Sequence, residues 1–215
     1  MVRTPVELVV WDWNGTLLDD TADCYAIANE MRLERGLPPL GSMEEYKALF
    51  GFPVIEYYRR MGYDFEAEAY EDVSAEFLRL YAARVAACPL QRGARETIAE
   101  IRRRGIRQVL LSATGEEKLL EQIAMFGLER SFDRVIGMKD NFSRGKAEEA
   151  RAFFAEEGVD PARVLMIGDT DHDHAIAAAL GCRCALLIPG HQTLERLRSL
   201  GAPLIRELTE ALDML

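Results

Sequence analysis

The 215-residue sequence predicts a three-layer α/β fold, a parallel sheet with helices on both faces, interrupted by an all-helical insert. Three observations predict it. Residues 6–18, Val-Glu-Leu-Val-Val-Trp-Asp-Trp-Asn-Gly-Thr-Leu-Leu, run an apolar strand into an acidic side chain and a glycine that lets the backbone turn. Residues 163–173, Arg-Val-Leu-Met-Ile-Gly-Asp-Thr-Asp-His-Asp, repeat that design far downstream. From residue 92 onward helix and strand patterns alternate, and parallel strands need such crossovers.

Taken in order, the first strand is followed by a stretch, residues 20–87, that breaks the alternation and reads as mostly helical. Ser42-Met-Glu-Glu45 has the spacing of a capping box, and Pro53 suits the first turn of a helix. A longer helix is expected from Glu66 to Ala87, with Tyr70, Val73, Phe77, Leu80, Tyr81 and Val85 on one face at close to the 3.6-residue period. Gly93–Arg104 then reads as an amphipathic helix, Arg107–Ser112 as a strand, Glu116–Phe126 as a helix, Arg134–Ile136 as a short strand and Gly145–Glu157 as a helix. Residues 163–167 and 183–188 are strands, joined by an alanine-rich helix, His174–Leu180. The expected division is a core domain of residues 1–17 and 89–215 and a helical cap of residues 18–88, with hinges at 17–20 and 86–92.

Composition narrows the function. A 49% hydrophobic, 29% charged chain of this length has ordinary globular content. With 26 basic and 36 acidic side chains the net charge is −10, which opposes binding to nucleic acid or an anionic membrane surface. A small anionic substrate must then be held by local donors and a metal. The longest apolar runs, such as 8–11 and 184–188, fall far short of the roughly 20 residues a membrane helix needs. The N-terminus lacks a signal-peptide pattern, so a cytoplasmic location is expected. The four cysteines are scattered, which argues against a disulfide framework or structural zinc. Cys182 and Cys184 read as alternate positions entering a strand. A monomer or homodimer is expected.

Asp12 is presented at a strand's carboxyl end, where open α/β sheets place their chemistry. The carboxylates after Gly168 end a second such strand, and two such ends side by side make a hard, oxygen-rich cation site. Asp12-Trp13-Asn14-Gly15-Thr16 and Gly168-Asp169-Thr-Asp-His-Asp173 together resemble the signatures Asp-x-Asp-Gly-Thr and Gly-Asp-Thr-x-x-Asp of haloacid dehalogenase-superfamily phosphohydrolases, within which the chain is similar to the phosphoglycolate-phosphatase-like members with a helical cap. The resemblance implies a Rossmann-like core and a nucleophilic Asp12 that carries a phosphoryl group. It implies Mg²⁺ held by Asp12, the main-chain carbonyl of Asn14, Asp169 and Asp173, with Asp171 an alternative to Asp173. Ser112, with Ala113 after it, resembles the strand-terminal motif that donates to phosphoryl oxygens. Lys146 resembles the charge-neutralising lysine at a helix start, with Lys139 the competing position. Substrate choice falls to the cap, where Gly51-Phe52-Pro53 and Arg59-Arg60 are the candidate contacts, Phe52 and Arg59 foremost, an exposed ion-paired surface being the equal alternative for the two arginines.

Asn14 departs from the family pattern, which has there the aspartate that protonates the leaving oxygen. An amide cannot shuttle a proton, and such general acid-base help is worth about 10²–10⁴ in rate. Three readings follow: a slow Mg²⁺-dependent phosphatase of a small phosphate monoester, a protein whose aspartyl-phosphate lingers, or a phosphate-binding regulatory protein without turnover. Asp20, Asp171 and His172 are the conceivable substitutes for the lost carboxyl. The metal-binding segment argues against metal-free haloacid dehalogenation. Phosphonoacetaldehyde-hydrolase-like C–P cleavage would require a Schiff-base lysine in the cap; Lys47 is the lone candidate, and its context reads as a surface helix charge.

Overall fold

The structure, a computed structural model, describes residues 4–138 and 145–215. Six parallel strands form one sheet: β1 (Leu8–Trp11), β2 (Arg107–Gly115), β3 (Arg134–Met138), β4 (Val164–Gly168), β5 (Arg183–Leu187) and β6 (Leu204–Ile205), in spatial order β3-β2-β1-β4-β5-β6. The chain therefore winds outward from β1 in both directions. The reversal point lies between β1 and β4, where the crevice of a doubly wound sheet opens. Since both faces are covered, β1 is buried along its whole length and reads as a continuous apolar run rather than an alternation.

Alternate side chains of β1 feed two separate cores. Leu8 and Val10 pack with Met166 of β4 and with α7 (Lys146–Glu157) and α8 (Asp171–Leu180) through Phe153, Phe154, Ile176 and Ala177. Val9 and Trp11 face α5 (Ala94–Arg103) and α6 (Glu116–Met125) through Ile98, Ile101, Leu119 and Ile123. The buried indole N–H groups need acceptors: Trp11 donates to Gln108 Oε1 at 3.1 Å and Trp13 to Gln122 Oε1 at 2.8 Å.

Between β1 and β2 the chain forms α1 (Thr21–Glu34), α2 (Met43–Leu49), α3 (Val54–Arg60) and α4 (Tyr70–Ala82), the helical insert expected from the break in alternation. Its interior (Ile27, Met31, Tyr46, Tyr57, Val73, Tyr81) is continuous with the second core through Leu17 and Leu18. The two connections run side by side: Leu18 bridges Leu90 antiparallel, Asp19 N–H donates to Pro89 O and Gln91 N–H to Leu17 O, each at 2.9 Å.

Several elements differ from expectation. The long helix begins at Tyr70 and ends at Ala82, followed by a 3₁₀ turn at Val85–Ala87, because the backbone at 65–68 turns instead of coiling. Ser42 does cap α2 by accepting from Glu45 N–H. The Glu45 carboxylate, however, accepts from Gly41 N–H, so only half of a capping box forms. Helix α8 starts at Asp171, three residues before the expected His174. A complete capping box drives that start, with Thr170 accepting from Asp173 N–H and Asp173 accepting from Thr170 N–H. β2 runs on to Gly115, and β6 and α9 (Leu194–Ser199) have no counterpart in the expected elements.

Candidate active site

Asp12 follows the last residue of β1 and Asp169 the last residue of β4, neighbours across the reversal point. Asp12, Asp169 and Asp173 place carboxylate oxygens within 4.8 Å of one another, all buried. Lys146, the first residue of α7, closes the group: its ammonium donates to Asp12 Oδ1 and to Asp173 Oδ1, both at 2.6 Å, with the side chain almost wholly buried. Thr16 Oγ1 lies 3.0 Å from Asp169 Oδ1 and 3.3 Å from Asp12 Oδ2, bridging the two strand ends. Asp173 has its other oxygen committed to α8's capping box, accepting from Thr170 N–H and Oγ1–H and from Asp169 N–H. Asp173 thereby orients Lys146.

The backbone crowds this cluster. Gly15 has φ +76°, and a Cβ there would come within 2.3 Å of Asp169 Oδ2. At Gly190, beyond β5, a Cβ would lie 2.2 Å from the same carboxylate.

Electrostatics mark the site as short of positive charge. Burial raises the Asp12 carboxyl to about 8, against the attraction of Lys146, with Asp173 and Asp169 adding to the rise. Burial likewise raises Asp169 to about 6. For Asp173 burial pushes upward, but the Lys146 ammonium and the hydrogen bonds from Lys146 and Thr170 outweigh it and leave the carboxyl below its ordinary range. Burial acts downward on Lys146, and its two carboxylate partners reverse that, so it stays firmly protonated. When all three carboxylates ionise they face one ammonium, leaving two negative charges, the complement of one divalent cation. The donors are hard oxygens of the kind Mg²⁺ prefers.

Asn14 points away from this cluster into a second buried one. Both amide hydrogens are committed, to Asp20 Oδ2 at 2.8 Å and Tyr81 OH at 2.7 Å, and its carbonyl oxygen accepts from Thr114 Oγ1 at 2.9 Å. Asp20, fully buried, also accepts from Gly15 N–H (2.9 Å), Tyr81 OH (2.7 Å) and His191 Nε2 (3.0 Å). Burial alone would raise Asp20; His191 and the hydrogen bonds from His191, Tyr81 and Asn14 hold it below its ordinary value. His191 in turn is raised, since Asp20 outweighs the downward push of burial.

Of the other residues singled out from the sequence, Ser112 is buried and accepts from Thr114 N–H. The register Trp11↔Leu110 sets it one residue past the level of Asp12. Ala113 follows on the same strand end. Phe52 stacks on His172 of α8, ring centroids 4.5 Å apart, so the loop before α3 reaches this face. Arg59 is not brought to the cluster: it is half exposed, paired with Glu56 and set over the Phe65 ring, where the i,i+3 spacing on α3 holds it. Of the three substitutes considered for Asn14's proton, Asp20 alone touches Asn14. Asp171 is engaged by Arg196 and Gln192, and His172 by Phe52. Lys139 and the segment 141–144 lie outside the described residues. Lys47 is half-buried at the insert's edge, donating to Pro189 O at 3.3 Å, rather than a free surface charge.

Sequence reasoning missed His191, Thr16's bridging role and the part played by Tyr81 and Thr114. The signal available for His191 was its place just after Gly190, beyond a strand adjacent to β4. No helix among the described residues is long and apolar enough to cross a membrane.

Comparison with known proteins agrees with this geometry. Residues 9–187 match the sequence pattern of the family described as haloacid dehalogenase-like hydrolase. Phosphoglycolate phosphatase 1 of Pseudomonas aeruginosa is 29% identical over 192 residues, covering 86% of this chain and 70% of that protein. The N-acetylmuramic acid 6-phosphate phosphatase of the same organism is 28% identical over 199 residues, covering 89% and 85%. The crystal structure of a predicted phosphatase from Clostridium acetobutylicum superposes with a TM-score of 0.83 over 98% of both chains at 16% identity, a likeness of fold.

Proposed function

The chain belongs to the haloacid dehalogenase-like hydrolases, and from that premise we propose that it is a Mg²⁺-dependent phosphatase of a small phosphate monoester, working through a phosphoryl group carried on Asp12. The observation that supports this above the others is the position of Lys146 between Asp12 and Asp173, across from Asp169. Residues 1–17 and 89–215 act as the catalytic core and residues 18–88 as the cap over it.

Asp12, Asp169, the Asn14 carbonyl and, where Lys146 leaves it room, Asp173 would hold Mg²⁺; the bound ion supplies charge to balance the phosphoryl oxygens. A carboxylate oxygen of Asp12 forms a bond to phosphorus as the ester P–O bond breaks, and the alcohol departs. Water then attacks the phosphorus and frees Asp12 and inorganic phosphate. Lys146 offsets repulsion between Asp12 and the incoming dianion. Ser112 and the backbone at Ala113 face the phosphoryl oxygens. The leaving oxygen takes a proton and the attacking water gives one up, so the cycle is proton-neutral, but Asn14 serves neither transfer. With its side chain tied on every donor, it acts as a fixed strut.

The rate should therefore depend steeply on the leaving group. p-Nitrophenyl phosphate is expected to be hydrolysed faster than alkyl phosphates, with Mg²⁺ required and Asp12→Asn inactive. Release that ignores Mg²⁺ or survives Asp12→Asn would overturn the proposal. Phosphoglycolate and N-acetylmuramate 6-phosphate, the substrates named for the relatives, belong in the panel. The commitment of both ends of Asn14 also favours a second reading, a phosphoenzyme that lingers. Intact-mass detection of a phosphorylated Asp12 after acetyl phosphate treatment separates it from rapid turnover.

A further inference from the structure

Asp20 and His191 form a buried pair that the reaction above does not use, and everything they touch lies on one side or the other of the same boundary. From the core they hold the catalytic loops: Asp20 accepts from Asn14 Nδ2 and Gly15 N–H, while His191 N–H donates to Asp169 Oδ2 at 2.6 Å. From the insert they receive two tyrosines. Tyr81 of α4 donates to Asp20 at 2.7 Å, and Tyr46 of α2 meets His191 Nδ1 at 2.9 Å. Phe50, just past α2, stacks on the same imidazole with centroids 4.7 Å apart. Because Asp20 is an acceptor at both oxygens, His191 Nε2 carries the hydrogen between them. Asn14 Nδ2 also donates to Tyr81 OH, and the buried Cys24 thiol of α1 points to Asp20 Oδ2 at 3.8 Å.

We propose that Asp20 and His191 are positioning residues that make the shape of the Mg²⁺ site depend on how the helical insert is seated. With both tyrosines in place, Asp20 fixes the Asn14-Gly15 turn and His191 fixes the Gly190-His191 backbone against Asp169. When the tyrosines withdraw, the pair loses two of its partners and both loops are freed together. The inference rests on the phosphatase reading for its purpose, but the coupling itself is a property of metal binding. A wholly structural interlock would use the same hydrogen bonds, so the distinction lies in what they hold. Partners of metal ligands set affinity by 10- to 100-fold, whereas a remote interlock sets only stability.

The test is calorimetric titration of Mg²⁺ into the folded protein and its variants, with melting temperatures alongside. Asp20→Asn leaves one acceptor oxygen for five donors, those of Asn14, Gly15, Cys24, Tyr81 and His191, and is expected to weaken Mg²⁺ about 10- to 100-fold. His191→Ala keeps the backbone N–H but loses the ring's anchors and is expected to weaken it about 10-fold, with His191→Gln, which retains a donor for Asp20, recovering much of the loss. Tyr46→Phe and Tyr81→Phe, in the insert and away from the carboxylates, each weaken Mg²⁺ several-fold, and the double variant more than either. Tyr63→Phe, whose buried hydroxyl has no hydrogen-bond partner, is the control and leaves Mg²⁺ affinity at the native value. Mg²⁺ dissociation constants within two-fold of native in all folded variants would overturn the proposal, whatever their melting temperatures, as would a native protein that binds no Mg²⁺. Absence of Asp12-dependent hydrolysis alongside shifted Mg²⁺ constants would instead sink the phosphatase reading and leave the coupling standing.

Discussion

Replacing Asn14 by Asp is the obvious way to give this chain the family's acid-base group, and the structure predicts that the single change fails. The amide nitrogen lies 2.8 Å from Asp20 Oδ2, and an oxygen in its place would set two carboxylates face to face in a buried site. At an effective dielectric constant of 20, two unit charges at that separation repel by about 6 kcal/mol. Proton uptake limits the cost: the pair keeps one proton, shared, and titrates as a unit with one carboxyl well above its ordinary value. A raised carboxyl means that the folded state holds a proton the unfolded chain has released, so the variant loses stability as pH rises through that raised value. Breaking a buried pair typically costs 3–5 kcal/mol. In a chain of this length each kcal/mol is worth about 2–4 °C, so the variant should melt roughly 10 °C below native at pH 8–9 and approach it near pH 5. The companion Asn14→Asp, Asp20→Asn restores one amide and one carboxylate with their places exchanged; it should regain most of the melting temperature and show the gain in turnover, up to about 10²–10⁴, that the single variant lacks. Melting curves between pH 5 and 9, with rates at saturating Mg²⁺ on an alkyl phosphate, whose leaving oxygen needs a proton, check this. An Asn14→Asp protein as stable as native at pH 9 and far more active on its own would refute the reasoning.

Raised carboxyls at Asp12, about 8, and Asp169, about 6, hold protons that a cation must displace. Mg²⁺ affinity should therefore climb from pH 6 to 8 with proton release, read by calorimetry in buffers of different ionisation enthalpy. By the same sign, the metal-free protein should lose stability between about pH 4 and 8, and saturating Mg²⁺ should flatten that slope in thermal melts. Lys146→Met leaves three buried carboxylates without their ammonium; turnover should vanish and stability fall by about 3–5 kcal/mol, partly restored by Mg²⁺, as denaturant melts with and without the ion would show. Gly190→Ala forces a Cβ to within 2.2 Å of Asp169 and should weaken Mg²⁺ by about 10-fold or more in calorimetry, with a smaller change in melting temperature.

The parallel sheet was legible because a strand buried on both faces reads as an unbroken apolar run, as Leu8–Trp11 and Val164–Gly168 do. β6 was not, since two paired residues carry no periodic signal. The overrun of α4 at its end has another cause: Val85 keeps the helical spacing of Tyr70–Tyr81, yet the chain leaves the α-helix after Ala82 and buries Val85 from a 3₁₀ turn. Asp12, Lys146, Asp169 and Asp173 were legible because each sits where a strand meets a turn or a helix begins. Arg59 stayed open between a substrate contact and an exposed ion pair, since a guanidinium near a binding loop looks the same in sequence whether it faces substrate or, as here, Glu56. His191 carried no motif, only its place just after Gly190 beyond β5. Its meaning depends on Asp20, 171 residues away, on Tyr81, whose helical spacing marked it as apolar packing, and on Tyr46, which no pattern singled out.

Asn14 illustrates why a motif letter has to be judged with its neighbours. Read alone, the amide is a lost catalytic group. In the folded chain, one of its hydrogens goes to Asp20 Oδ2 and the other to Tyr81 OH, so that Asn14 joins His191 and Tyr81 in keeping an ionised Asp20 buried beside the Asp12 loop, and Asp20 is the point where both that loop and α4 are anchored. A carboxyl at position 14 and a carboxyl at position 20 are therefore mutually exclusive in their ionised forms, and this chain has the one that ties the insert to the core. The expected cost falls on proton transfer to the leaving oxygen, and the gain falls on the order of the loops around Asp169. A substrate whose leaving group departs without a proton would bear little of that cost, which is why leaving-group dependence is the most direct measure of what the exchange has done.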